Sequence, residues 1–212
     1  MSNRHVRKML RQMASGEPVQ VTSAMASMKK LARLAFLAKQ FGYEYADAWR
    51  GGGPQGNGFV MLIVPDPSPQ AQARAEQNWA RYPKASDGVA LPPLVPNEVE
   101  LLKSRITFDL ATTYTEKQLA VIMGVGFSAL AVGLGFQLGA DTTAAVIAGI
   151  VWAALMAFVP IGLVAGRRYR AKHVARLQAA GFTSVTDQSG RLRYIPPGGQ
   201  LPGHGNPFAG GV

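Results

Sequence analysis

The chain has no cysteine. That removes disulfide staples, thiolate metal sites and cysteine nucleophiles, and it suits a protein facing the cytoplasm. Histidine is almost as scarce. His5, His173 and His204 are far apart, and none has an Asp or Glu at metal-ligand spacing. No two carboxylates are placed for acid–base work; Glu98 and Glu100, for example, fall on different faces of a helix. Serines and threonines are scattered without a base partner. Catalytic chemistry therefore has little to stand on, and no cofactor or metal is expected.

The largest absence is charge. Between Lys117 and Arg167 the only ionisable residue is Asp141, and it separates two apolar runs, Leu119–Ala140 and Ala144–Gly166. A helix crosses the hydrocarbon core in roughly 20 residues. A soluble core helix of that length keeps a polar face, and neither run has one. The intervening Asp141-Thr142-Thr143 is short enough only for a tight turn. The expectation is a transmembrane helical hairpin over 117–166, hidden in a mean hydropathy of +0.06 by polar flanks.

Lysine and arginine placement orients it. Arg167, Arg168, Arg170, Lys172 and Arg176 follow the second run, Lys103, Arg105 and Lys117 precede the first, and the turn has none. Both termini are expected on the cytoplasmic side, with Asp141 on the far side. The N-terminal stretch does not resemble a signal peptide. The Ala/Val/Gly/Arg-rich composition suits a bacterium, so the location expected is the inner membrane. The net charge of +10 is uneven: residues 1–40 carry +7, 41–116 carry −3 and 117–212 carry +6. An anionic inner leaflet attracts such ends at about 1 kcal/mol per cation near the surface.

The fold class that follows is a two-helix transmembrane hairpin with a small cytoplasmic α/β (α+β) portion formed by N- and C-terminal segments. Residues 1–22 form a basic amphipathic segment, with Val6, Met9, Leu10 and Met13 on one helical face and Arg4, Arg7, Lys8 and Arg11 on the other. That face of Met and Leu suits surface anchoring in lipid. Docking on an acidic partner is a further reading, and nucleic acid is not an expected partner, because the segment has no aromatic for base stacking. Residues 23–82 read as an α-β-β-α unit: a helix from a Ser23 cap to Gln40, a Gly42 stop, strands at 43–50 and 59–64 around the glycine-rich 51–58, and a helix capped by Ser68. The glycine-rich turn leads into a strand and lacks Gly-Lys-Ser/Thr, so it is a hairpin connection and not a phosphate loop. Residues 83–96 form a Pro-rich extended linker. Residues 97–116 form an amphipathic connecting helix, with Val99, Leu102, Ile106 and Leu110 on one face, laid either along the interface or on the cytosolic domain. Residues 167–195 read as a basic helix, a Gly181 stop and a short β-hairpin, and 196–212 as a disordered Pro/Gly tail.

Small residues mark the packing faces of the spans. Ala145, Gly149, Ala153 and Ala157 recur every four residues in the second; Ala129 with Gly133, and Gly135 with Gly139, do so in the first. Lipid gives helices no hydrophobic reason to pair, so close backbone approach must supply the contact. Leu155 is expected to face lipid, and Pro160 to kink the second helix. The membrane-surface cations are Arg4, Arg7, Lys8, Arg11, Arg167, Arg168, Arg170 and Lys172. The function expected is a non-enzymatic accessory or scaffold subunit of a larger membrane assembly, its partners being the anionic bilayer and either other membrane subunits or further copies of itself. The alternatives are a membrane-anchored cytoplasmic binding module for a ligand or nucleic acid, and a homo-oligomeric pore lined by Gln137, Ser128 and the threonines near the turn.

Overall fold

A computed structural model describes residues 3–23, 27–51, 58–139, 141–187 and 190–197. The chain divides into two compact units. One runs to Leu110 and resumes at His173; the other is Ala111–Lys172. Both ends of the sequence thus build the first unit. The glycine-rich turn and the tail expected to be disordered fall largely outside the described residues.

The first unit begins with helix α1 (Asn3–Met13), whose Val6, Met9, Leu10 and Met13 are at most 5% exposed. Strand β1 (Val19–Ser23) follows. Helix α2 is Met28–Gln40, strand β2 Tyr43–Arg50, strand β3 Phe59–Pro65 and helix α3 Pro69–Arg81. The three strands form one antiparallel sheet in the order β1-β3-β2, with Val19 opposite Ile63 and Tyr45 opposite Ile63 on the other side. The unbroken apolar run of β3 is what a central strand requires. The helix expected to start at Ser23 instead starts at Met28, and Ser27 at its cap makes no side-chain cap bond. Five residues of alternating character are short evidence for a strand; β1 exists because β3, some forty residues on, offers a ladder.

Burial explains the rest. Leu31, Leu34, Phe36 and Leu37 of α2 are at most 2% exposed and pack with α1 and the sheet in one core. Ser68 caps α3 as expected, accepting from the Ala71 amide at 3.3 Å. Gly42 stops α2 with φ +85°, and a Cβ there would lie 3.0 Å from that of Ala75, so the turn needs glycine twice over.

Both connecting segments pack against the first unit. The Pro-rich linker is pinned down: it contains a 3-10 turn at Ala85–Asp87, Ala85 is fully buried, and Leu91 packs on the core. Helix α4 (Pro96–Ala111) takes the second of the two placements expected for it, packed on the rest of the first unit. Val99, Ile106 and Leu110 enter the main core, while Phe108 enters a second cluster with Leu177 and Tyr194. The Phe108 and Tyr194 rings meet edge to face at 5.0 Å. The hairpin β4 (Thr183–Thr186) and β5 (Leu192–Ile195) is paired antiparallel, so α4 is the wall it shares with the N-terminal sheet.

In the second unit, helix α5 (Glu116–Gln137) and helix α6 (Thr142–Ala179, within this unit up to Lys172) are both long and apolar enough to cross a membrane. Helix α5 ends at Gln137 and α6 begins at Thr142, so the break comes earlier than expected. Gly139 turns the chain at φ +113°, and Ala145 N–H already donates to Asp141 C=O at 3.0 Å, which draws both threonines into α6. Thr115 starts α5 with a reciprocal capping box to Gln118.

Candidate functional site

The helical hairpin has a narrow seam and a wide bare surface. On α5, Ala120, Met123, Gly124, Phe127, Ser128, Leu134 and Gly135 are half-buried and Ala131 is buried. On α6 the half-buried residues include Ala148, Val151, Leu155, Met156, Val159 and Leu163. This is a three-four spacing, the geometry in which two near-antiparallel helices keep one side together. A Cβ on Gly135 would lie 3.7 Å from that of Ala148, and one on Gly124 3.6 Å from Met156 Cε. Between them Trp152 Nε1–H donates to Ser128 Oγ at 3.1 Å.

The expected packing stripe only partly coincides with this seam. Gly135 lies in it. Ala145 and Gly149 line an open apolar groove of about 400 Å³ with Gly135, Ala148, Phe136 and Trp152, but nothing lies within 4 Å of a Cβ on Gly149. Ala129, Gly133, Ala153 and Ala157 are exposed, and Gly139 belongs to the turn. Leu155, expected to face lipid, is half-buried. A fixed step of four drifts around a helix, whereas a seam alternates steps of three and four, so stripe and seam share only part of their residues. Ser128, one of the few polar groups offered for a pore lining, is engaged by Trp152.

Away from the seam large apolar side chains stand bare. Val125 is 65% exposed, Phe136 73%, Ile150 64% and Phe158 62%. Where the apolar runs end, ion pairs close the hairpin. Glu116 accepts from Arg167 in a bidentate fork, with Nε at 3.0 Å from Oε1 and Nη2 at 2.5 Å from Oε2, and from Arg170 at 2.6 Å. Arg167 and Arg170 are thus engaged within the protein, while Arg168 and Lys172 stay exposed.

In the first unit two polar features stand out. One is an ionic joint. The β2 register shifts between Tyr45 and Asp47, a bulge at Ala46 that re-aims the strand. Arg193 of β5 donates to the Ala46 carbonyl at 3.1 Å and pairs with Asp47, which Arg191 also holds at 2.6 Å. Beside it Tyr45 Oη donates to Asp109 at 2.7 Å, with Arg105 over the Tyr45 ring at 5.0 Å. Burial pushes the Asp109 carboxyl above the usual carboxylate range; burial, then Asp109 itself, pushes the Tyr45 phenol up. Asp47 and the two arginines tie segments 144 residues apart and more, and Tyr45 ties the same strand to α4. Sequence reasoning missed the joint, which has no signature beyond a charged residue inside each strand.

The other feature is the outer face of α1, where Arg4, Arg7, Lys8, Arg11 and Gln12 line a shallow groove. The Met and Leu face expected to enter lipid lies instead in the core, since residues spaced three and four apart cover one side and α2 and the sheet fill that side. Among the described residues, no three His, Cys, Asp or Glu side chains are grouped to hold a metal. No known protein family matches this chain, nor does any curated protein or solved structure.

Proposed function

We propose that this is a two-pass protein of a bacterial inner membrane, with α5 and α6 spanning the bilayer and both termini in the cytoplasm, and that it serves as a non-enzymatic accessory or scaffold subunit of a larger membrane assembly. One observation carries the reading: two helices of spanning length keep large apolar side chains exposed on every side but one narrow seam. Water would not tolerate such a surface, whereas lipid or the helices of a partner would cover it. The exposed Ala145–Gly149 groove supports an assembly role, because it leaves backbone open to close helix approach after the hairpin has closed. The positive-inside bias supports the orientation.

Alkaline extraction of native membranes followed by mild-detergent purification tests it. The chain should stay in the washed membrane and run larger than a monomer, with other membrane proteins or further copies of itself in fixed ratio. A chain released by the wash removes the membrane reading; a retained chain that purifies alone as a monomer removes the assembly role. The absence of native cysteine gives clean topology probes. Asp141→Cys should react with an impermeant thiol reagent outside the cell, and Ser184→Cys, exposed on β4, should not.

The second reading, a membrane-anchored binding module, is favoured by the bare cations of α1. Exchange of the hairpin for an unrelated one separates the two: function survives in an anchored module and fails in an assembly subunit.

A further inference from the structure

We infer that the outer face of α1 is a docking surface for the phosphates of anionic lipid headgroups, working by charge alone and without insertion. This rests on the membrane reading above and adds a contact and its mechanism. Three facts lead to it. Arg4, Arg7 and Lys8 are exposed and, among the described residues, in no ion pair; Arg11 has only a surface contact with Asp87 at 3.4 Å, both side chains more than half exposed. The cations also crowd one another. His5 is held below the usual histidine range first by burial, then by Lys30, Lys8 and Arg4, so positive potential is concentrated where α1 meets α2. Finally, the apolar half of the helix is locked in the core, with Val6, Met9 and Leu10 each 1% exposed.

The last fact selects the occupant. Protein partners are held mainly by Trp, Tyr and Arg anchors seated in desolvated pockets; this face offers arginines, but with no aromatic or apolar side chain beside them and in a groove open to water. Single-stranded nucleic acid needs stacking platforms, and α1 has no aromatic. A sheet of lipid phosphates asks only for cations in a row. In a protein anchored by its own hairpin, such a sheet is always at high effective concentration.

The experiment uses full-length protein in nanodiscs. Gln12→Cys carries a fluorophore, and a headgroup nitroxide lipid is the quencher. Quenching should be strong in discs with about 30% phosphatidylglycerol and weak in pure phosphatidylcholine, because the contact is with surface charge. It should fade at about 0.5 M salt. Arg4→Gln with Arg7→Gln and Lys8→Gln should weaken the docked state by about 100-fold, from the known attraction per cation; Arg4→Lys with Arg7→Lys should preserve it. A label at Ile122→Cys with an acyl-chain nitroxide reads the hairpin separately. Quenching at Ile122→Cys but none at Gln12→Cys, or equal quenching of Gln12→Cys in neutral discs, overturns the inference and leaves the membrane reading standing. No quenching at Ile122→Cys removes both. Displacement of the face from anionic discs at low salt by an RNA oligonucleotide or a polyglutamate peptide carrying no more charge than the disc surface assigns it to that partner and also overturns the inference.

Discussion

The two units dispose of apolar side chains in opposite ways. In the first, Phe36, Leu34, Met61 and Ile63 are at most 1% exposed, and the surface carries the charge. In the second, apolar side chains of similar size are mostly bare, and Ala131 is the single buried residue of α5. A fold stabilised by withdrawing apolar surface from water explains the first and cannot explain the second. Under the membrane reading proposed above, the difference lies in the solvent each unit is built for. The hairpin seam mixes small residues, Gly124, Ala131 and Gly135 among them, with larger ones such as Phe127 and Leu155; between helices in lipid the gain would come from close contact and not from burial.

The sharpest test of the water-built side is Phe36→Ala. The side chain is 1% exposed at the centre of the core. Its loss should cost about 3–5 kcal/mol, seen as faster hydrogen exchange throughout α2 and the sheet with α5 unchanged. Equal loosening of α5 would mean that the units do not fold separately. The matching test of the other side is Val125→Arg, near the middle of α5 and 65% exposed. Exposed to water, it should change stability by no more than about 0.5 kcal/mol. In the bilayer centre it should cost about 2.5–3.5 kcal/mol, a loss of roughly a hundredfold in a membrane-insertion assay. A neutral result would overturn the contrast itself.

Much of this was legible in the sequence, and the limits have physical causes. The hairpin needed only the missing charges. Ser68, Gly42 and Gly181 act locally, so their turns could be read one at a time; Gly42 and Gly181 do adopt positive φ. Strand β1 could not be read, since its reason for existing is β3. Helix α1 shows the subtler failure. Its amphipathic pattern is correct, yet the pattern alone does not say whether protein or lipid fills the apolar side. The ionic joint is the least legible, because Asp47, Arg191 and Arg193 become neighbours only once both ends of the chain join one unit.

That joint is the next test. Asp47 is about a quarter exposed and Arg193 about a tenth, so the pair is partly shielded from water. Asp47→Ala leaves Arg193 without this carboxylate and should cost about 2 kcal/mol, below the 3–5 typical of a fully buried pair because water still reaches it. Adding Arg193→Ala should recover part of the loss. The check is a double-mutant cycle on unfolding of the first unit. Strict additivity would mean that the joint positions the β4–β5 hairpin without stabilising it.

The smallest effect belongs to the hairpin seam, where Ser128→Ala removes the acceptor for Trp152 Nε1–H. In hydrocarbon an orphaned donor should be expensive, yet interhelical hydrogen bonds in membranes are worth about 0.6 kcal/mol on average and at most about 1.7, since a separated helix also finds partners. A loss within that range is expected, measured by Trp152 fluorescence or by reversible unfolding in detergent. Gly149→Leu is the control. Nothing lies within 4 Å of a Cβ there, so the added side chain should leave the Ser128 contact and the closed hairpin intact while filling the groove beside it. If Gly149→Leu opens the hairpin more than Ser128→Ala does, the helices meet along the four-residue stripe after all and the seam is misplaced. If it instead leaves the hairpin closed but dissolves a larger assembly, the vacant stripe is where the partner helix sits, and the bare side of this unit is meant for protein as well as lipid.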